Sequence, residues 1–307
     1  MKWYILALGS AILNALSAVT EKKTLFKEHA MEYATVISLI MFVLSLMFIN
    51  KVSFSMPVSY WFLLVIISIM DAIAFLYITK AVRHMELSES SPLSVFGPAI
   101  TAVLAYIFLG EILTMKHIGG ILGVTLGAYV LELKHVKNKK IEFLRPIRII
   151  MQSKYIHYLL FGLVLYAVSA IIARYMLNTD NPQAISPYTL LVITHFFVAM
   201  AFLFMIHKYH DGVDGIKHGL KSAGWLIFIA ALFLFTSRVL LTITLAIPVA
   251  EVALILGVRR LSSLFSTIIG GEIFQDKNLA GKVFACIIMI IGVLIIVAVV
   301  LTVVGVF

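Results

Sequence analysis

A single cysteine, Cys286, stands among the 307 residues. An internal disulfide is therefore excluded, and no cysteine cluster can hold a metal; set in an apolar run, Cys286 reads as a small residue facing lipid or another helix. Charge is also scarce, at 13% of the chain, about half the share of an ordinary soluble domain. There is no H-E-x-x-H, no glycine-rich phosphate loop ending in lysine and no nucleophile elbow, so neither enzyme chemistry nor a cofactor is expected.

What fills the space is apolar. Hydrophobic residues make up 62% of the chain and the mean hydropathy is +1.07, so the lipid bilayer is the expected surrounding medium. The net charge of +9 could suggest nucleic acid. The cations, however, sit in short stretches between apolar runs and form no continuous basic face, which fits orientation in a membrane and sets nucleic acid aside.

At about 20 residues per crossing, ten spans are expected: Trp3–Thr20, Tyr33–Ile49, Tyr60–Thr79, Leu87–Leu109, Ile118–Leu133, Tyr155–Met176, Ile185–Ile206, Gly224–Leu245, Pro248–Ile269 and Leu279–Val303. The first resembles a signal peptide in outline. Its Ala15-Leu16-Ser17-Ala18 nevertheless returns as Ala167-Val168-Ser169-Ala170 deep in the chain, so it is read as a span.

The stretch from Leu87 to Leu131 is an apolar hairpin turning at Gly110-Glu111, opened by Pro92 and Pro98 and continued by Gly119, Gly123 and Gly127 at four-residue spacing. Those glycines leave one helix face bare for close packing. The pattern recurs as Gly271-Glu272, a short polar stretch and Gly281. Nine positions separate Glu111 from Gly120, and nine separate Glu272 from Gly281. With five spans in each repeat, an odd number, the second repeat must enter the membrane from the opposite face. The expected division is residues 1–133 for the first repeat, 134–154 for a basic amphipathic linker lying on the lipid surface or simply solvated, and 155–307 for the second repeat.

On this reading Lys2, Lys51, Lys116 and Arg174 lie on the face of the termini, and seventeen Lys and Arg lie on the other. The positive-inside rule then places both termini outside the cytoplasm. Trp3, Tyr4, Tyr60, Trp61, Tyr155, Tyr158 and Trp225 fall at span ends and read as interfacial anchors.

The run S-E-S-S-P-L with a second proline, L-G-E and the glycine-rich segment after it resembles the EamA repeat of the drug/metabolite transporter superfamily. So does V-R-R-L-S-S-L-F-S-T-I-I-G-G-E-I-F-Q-D-K-N-L-A-G-K with the I-I-G-V segment that follows. The resemblance implies an all-α membrane protein of ten transmembrane helices, arranged as two inverted five-helix repeats. Spans one, three, four, six, eight and nine would surround a central cavity. This sequence departs from the pattern in two ways: Arg259 stands where the ninth span would match Pro98, and relatives commonly keep both termini in the cytoplasm.

Six ionisable residues fall within spans: Asp71, Glu89, Arg238, Glu251, Arg259 and Arg260. Each costs about 2.5–3.5 kcal/mol at a helix centre on insertion scales, so each should face a wet cavity or a partner. Asp71 reads as a cation or proton site, or as the ion-pair partner of Arg259 or Arg260. Arg238 could hold Glu251. Glu89 and Glu251, about one turn inside the starts of spans four and nine, read as protonatable gates at opposite mouths. Asn14 and Tyr166 occupy matching points of spans one and six. Substrate binding is thus expected at Asn14, Asp71, Tyr166, Arg238, Arg259 and Arg260, and proton coupling or gating at Glu89 and Glu251. Glu111 and Glu272 read as helix caps and His195 as a hydrogen-bonded core residue.

The expected activity is secondary active transport, in the direction of export, of a small polar metabolite such as an amino acid, across a bacterial or archaeal plasma membrane. The partners are that solute, the lipid bilayer, a coupling proton and a second copy meeting through span five or ten. An anionic or phosphorylated cargo held by the arginines, and a non-transporting membrane scaffold, are the alternatives.

Overall fold

The computed structural model of the chain describes residues 3–26, 29–94, 96–109, 152–177, 183–247, 258–259 and 261–303, with positions 119, 120, 122, 123, 126, 127 and 255. In chain order the helices are α1 (Trp3–Leu25), α2 (Ala30–Ser45, continued by the 3-10 turn Leu46–Lys51), α3 (Val58–His84), α4 (Leu87–Leu93), α5 (Phe96–Leu109), α6 (Lys154–Leu177), α7 (Pro187–Tyr209), α8 (Gly212–Ala223), α9 (Trp225–Leu245), α10 (Leu261–Ile273) and α11 (Leu279–Val303). A chain this apolar must close its backbone hydrogen bonds internally, and helices do so within each segment. Six of the described helices are long and apolar enough to cross a bilayer: α1, α2 with its 3-10 extension, α3, α6, α7 and α9.

Three features depart from the sequence reading. The expected fourth span is two helices, α4 and α5, hinged near Ser94, where Ser94 N–H still reaches Ser90 O and Gly97 N–H turns back to Ser94 O. Pro98 lies in the first turn of α5, where a missing N–H costs little. An added helix, α8, occupies the polar stretch between α7 and α9. Its Gly212, Gly215 and Gly219 face inward, while Val213 and Leu220 are exposed, the disposition of a helix lying along a membrane surface. Tyr60, expected at the interface, is buried among Leu64, Ile67, Met176 and Leu190. The hinge Gly110-Glu111, most of the 134–154 linker and residues 248–254 lie outside the described residues.

Small residues bring the two halves together. Along α1, Ala7, Ser10, Ala11 and Ala15 are buried, as are Ala230, Ala231 and Ser237 of α9. Ser10 and Ser237 each donate to the other's carbonyl at 2.9 Å. Gly162 of α6 sits so close to α3 that a methyl group there would meet Ala74 O at 2.9 Å. The glycine face of the expected fifth span also packs within the chain. A Cβ on Gly127 would lie 2.4 Å from Met289 Cγ, and one on Gly123 would lie 3.0 Å from Gly292 Cα, both in α11. Gly119 meets nothing within 4 Å. Cys286, also on α11, is buried, so it faces protein.

Two of the seventeen cations on the basic face are internal: Lys22 is 6% exposed and Lys282 is 1% exposed. Neither is a loop charge, and the bias that remains is fifteen against four.

Candidate functional site

Residues of α1 to α7, α9 and α10 line a cavity of about 260 Å³, small for a ligand pocket. Five of the six expected substrate residues line it: Asn14, Asp71, Tyr166, Arg238 and Arg259. Arg260 and Glu251 lie outside the described residues, as does the side chain of Glu89, whose backbone is in α4.

The charges are arranged differently from the expected pairing. Asp71, on α3, faces Arg238 of α9, with 3.6 Å between Oδ2 and Nη1. Arg238 also donates to the Tyr166 hydroxyl at 3.0 Å and lies over its ring, 5.0 Å from the centroid. Among the described residues Asp71 therefore meets Arg238 rather than Arg259, and Arg238 is held by Asp71 and Tyr166; the expected partners Arg260 and Glu251 lie outside the described residues. The reason is placement: α9 packs beside α1 and faces α3 across the cavity, which brings its mid-helix guanidinium level with Asp71. Arg259 instead donates to Asn14 Oδ1 at 2.8 Å, and the Asn14 amide donates to Ser262 Oγ at 3.3 Å. The matching positions Asn14 and Tyr166 thus each orient one cavity arginine.

Glu21 was missed in the sequence, since the first span was drawn to end at Thr20 and the T-E-K-K run reads as a loop. The helix continues to Leu25, placing Glu21 in the cavity wall, where Thr79 donates to its Oε1 at 3.0 Å. Serines from α4 and α10 form the adjoining wall: Ser266 donates to Ser91 Oγ at 2.9 Å, and the Ser94 and Ser263 hydroxyls lie 3.1 Å apart. His195 is a core residue whose Nδ1 lies 2.7 Å from Leu191 O, one turn back on its own helix.

Beyond the serines the start of α4 is tied to the second half. Lys282 of α11 pairs with Glu86 and donates to Ser88 Oγ at 3.0 Å. Asp276 accepts from the Ser88 amide at 3.1 Å and from its hydroxyl. Glu272 is exposed in the last turn of α10, and Glu111 lies outside the described residues.

Such a cavity can hold a small polar solute. Hydroxyls and amides can solvate it, and guanidinium and carboxylate groups line the wall.

Comparison with known proteins agrees with this architecture. Residues 1–133 match the family model described as the EamA-like transporter family. No curated protein matches the chain. A solved structure described only as "Crystal structure of protein" superposes with a TM-score of 0.64 at 12% identity, covering 98% of both chains. At that identity the likeness concerns the fold alone.

Proposed function

We propose that this chain is a secondary active transporter that exports a small polar metabolite, such as an amino acid, by alternating access between two inverted five-helix halves. The observation that carries the proposal is the cavity between the halves, in which an acid–base pair, Asp71 and Arg238, faces a second guanidinium, Arg259, held by neutral Asn14. A zwitterion can satisfy groups of both signs. An anion clamp is the weaker reading, because Arg238 already faces a carboxylate and Glu21 adds another to the wall. A scaffold has no use for so polar an interior, since burying those groups is costly.

In this proposal the second half repeats the first in the opposite orientation, in a bacterial or archaeal plasma membrane. Asn14, Asp71, Tyr166, Arg238, Arg259 and Arg260 bind the solute. Glu89 and Glu251 exchange protons at opposite mouths. The exposed residues Leu122, Leu126, Ile287 and Ile291 offer faces to lipid or to a second copy.

The test is uptake and counterflow with the purified protein in liposomes, against a panel of amino acids, sugars and phosphorylated metabolites, with and without a pH gradient. Exchange of a zwitterion that Arg259→Gln abolishes supports the reading. Exchange confined to phosphorylated solutes selects the anion carrier, and no flux of any solute by folded protein selects the scaffold.

A further inference from the structure

The turn between α7 and α8 reads H-K-Y-H-D-G-V-D-G-I-K-H over residues 207–218, a concentration of imidazole and carboxylate in a chain with nine histidines. It folds against the start of α2. There Glu32, buried, and His210 and Asp211, from the turn, each present a ligand atom, and these atoms all lie within 4.8 Å of one another. His218 joins from nearly two turns along α8, with its Nδ1 3.3 Å from Glu32 Oε2. The His29 ring packs on that of His210 with centroids 4.5 Å apart and walls the group from α3.

Glu32 Oε2 also accepts from the His29 backbone amide at 3.3 Å in the capping box that opens α2, but two details indicate that His210 and Asp211 are arranged for something other than local structure. Asp211 occupies the N-cap position of α8, where aspartate ordinarily accepts from the first-turn amides, yet its side chain does not cap the helix. It turns to His210 instead, with 3.4 Å between Oδ2 and Nδ1. His210 Nδ1 is buried and makes no hydrogen bond, the 3.4 Å approach of Asp211 Oδ2 not meeting hydrogen-bond geometry, which leaves a ring nitrogen able to bind a metal directly.

We propose that Glu32, His210 and Asp211, with His218 as a fourth donor, bind one divalent transition-metal ion of the zinc class, joining the start of α2 in the first half to the α7–α8 turn in the second. Mixed imidazole and carboxylate donors suit zinc, cobalt or nickel, whereas calcium and magnesium prefer oxygen throughout. A bound ion restrains the two halves at one face of the membrane. The site is independent of the transport reading, because binding is measured without flux.

The test uses the purified full chain in detergent, stripped with a chelator, then given Zn²⁺ or Co²⁺ and desalted. One zinc per chain by elemental analysis, visible absorption bands with cobalt and a raised melting temperature with zinc are expected. Asp211→Asn, at an exposed side chain whose loss leaves the fold intact, should weaken zinc affinity by at least about tenfold, and His210→Gln by as much. Asp214→Asn, whose carboxylate pairs with Lys217 on the same helix, should leave affinity unchanged. No retained zinc, affinity unaltered by Asp211→Asn, or an equal loss in Asp214→Asn would overturn the proposal.

Discussion

Lys22 and Arg174 make the same kind of contact, each reaching from one helix to the carbonyl end of another. Lys22 Nζ reaches from α1 to the end of α3 and donates to Val82 O and Met85 O at 2.7 Å. Arg174 reaches from α6 to the end of α9 and donates to Leu245 O at 2.5 Å and Ile247 O at 3.0 Å. The interval between the two residues equals that between Ala15 and Ala167, so sequence register and hydrogen bonding identify the same correspondence. The last carbonyls of a helix lack partners within it and carry the negative end of its dipole. Where little water reaches them, a cation supplied by a neighbouring helix satisfies both needs.

If the caps are equivalent, removing either should have the same effect. Lys22→Met and Arg174→Met should each destabilise the folded protein by about 1.5–3 kcal/mol, the range for hydrogen bonds to charged groups. Thermal melts in detergent, followed by size-exclusion recovery, measure this. A large loss in one variant with none in the other would break the equivalence.

Along the glycine face, position should decide the outcome. Gly127→Leu drives a side chain into Met289 and the α11 backbone, whereas Gly119→Leu enters open space. Folded yield should fall steeply for Gly127→Leu, less for Gly123→Leu and hardly at all for Gly119→Leu. Equal yields would show that the face does not set the distance to α11.

What could be read in the sequence follows from what repeats. Apolar length located α1, α3, α6, α7 and α9 to within a few residues, because a span must be long, apolar and internally hydrogen-bonded. Glycine spacing found the close face of the Gly119–Gly127 segment but not that α11 covers it, since spacing says nothing of the partner. The intramembrane charges were found because each is costly there, but Arg238 was not among the partners expected for Asp71: their approach depends on how α9 sits against α3, which no local pattern encodes. Glu21 and Lys22 were drawn as loop charges because polarity at a helix end looks the same whether a side chain points to water or into the protein. The α8 helix was overlooked because its buried face is built of glycines, which carry no hydrophobic signal.

Asp71 and Arg238 should behave as a unit. Asp71→Asn leaves a guanidinium in the cavity beside only Tyr166 and should cost up to about 3 kcal/mol, at the low end for one partner of a buried pair because both groups keep some access to the cavity. The double variant Asp71→Asn with Arg238→Gln should recover much of that stability without recovering transport. A double-mutant cycle on melting temperature, run with the liposome assay, separates the two effects. Additive losses in stability would show that the pair is not coupled.

The last prediction concerns motion between the halves, and the Ser91–Ser266 contact provides the handle. The two hydroxyl oxygens lie 2.9 Å apart, one on α4 and one on α10, so cysteines at both positions would be close enough for a disulfide with little backbone movement. Cys286 is the one native cysteine, and Cys286→Ser clears the background. Beyond that contact, Glu86 with Lys282 and Ser88 with Asp276 also tie α4 and the residue before it to the C-terminal part of the chain. If solute passes by alternating access, α4 and α10 must part here once in each cycle. Oxidising Ser91→Cys/Ser266→Cys should then stop exchange in liposomes, and reducing agent should restore it, while either single variant works under both conditions. Exchange that continues at full rate in protein shown by gel shift to be crosslinked would mean that the α4–α10 contact stays shut throughout transport, and the path for solute would have to open elsewhere around the cavity.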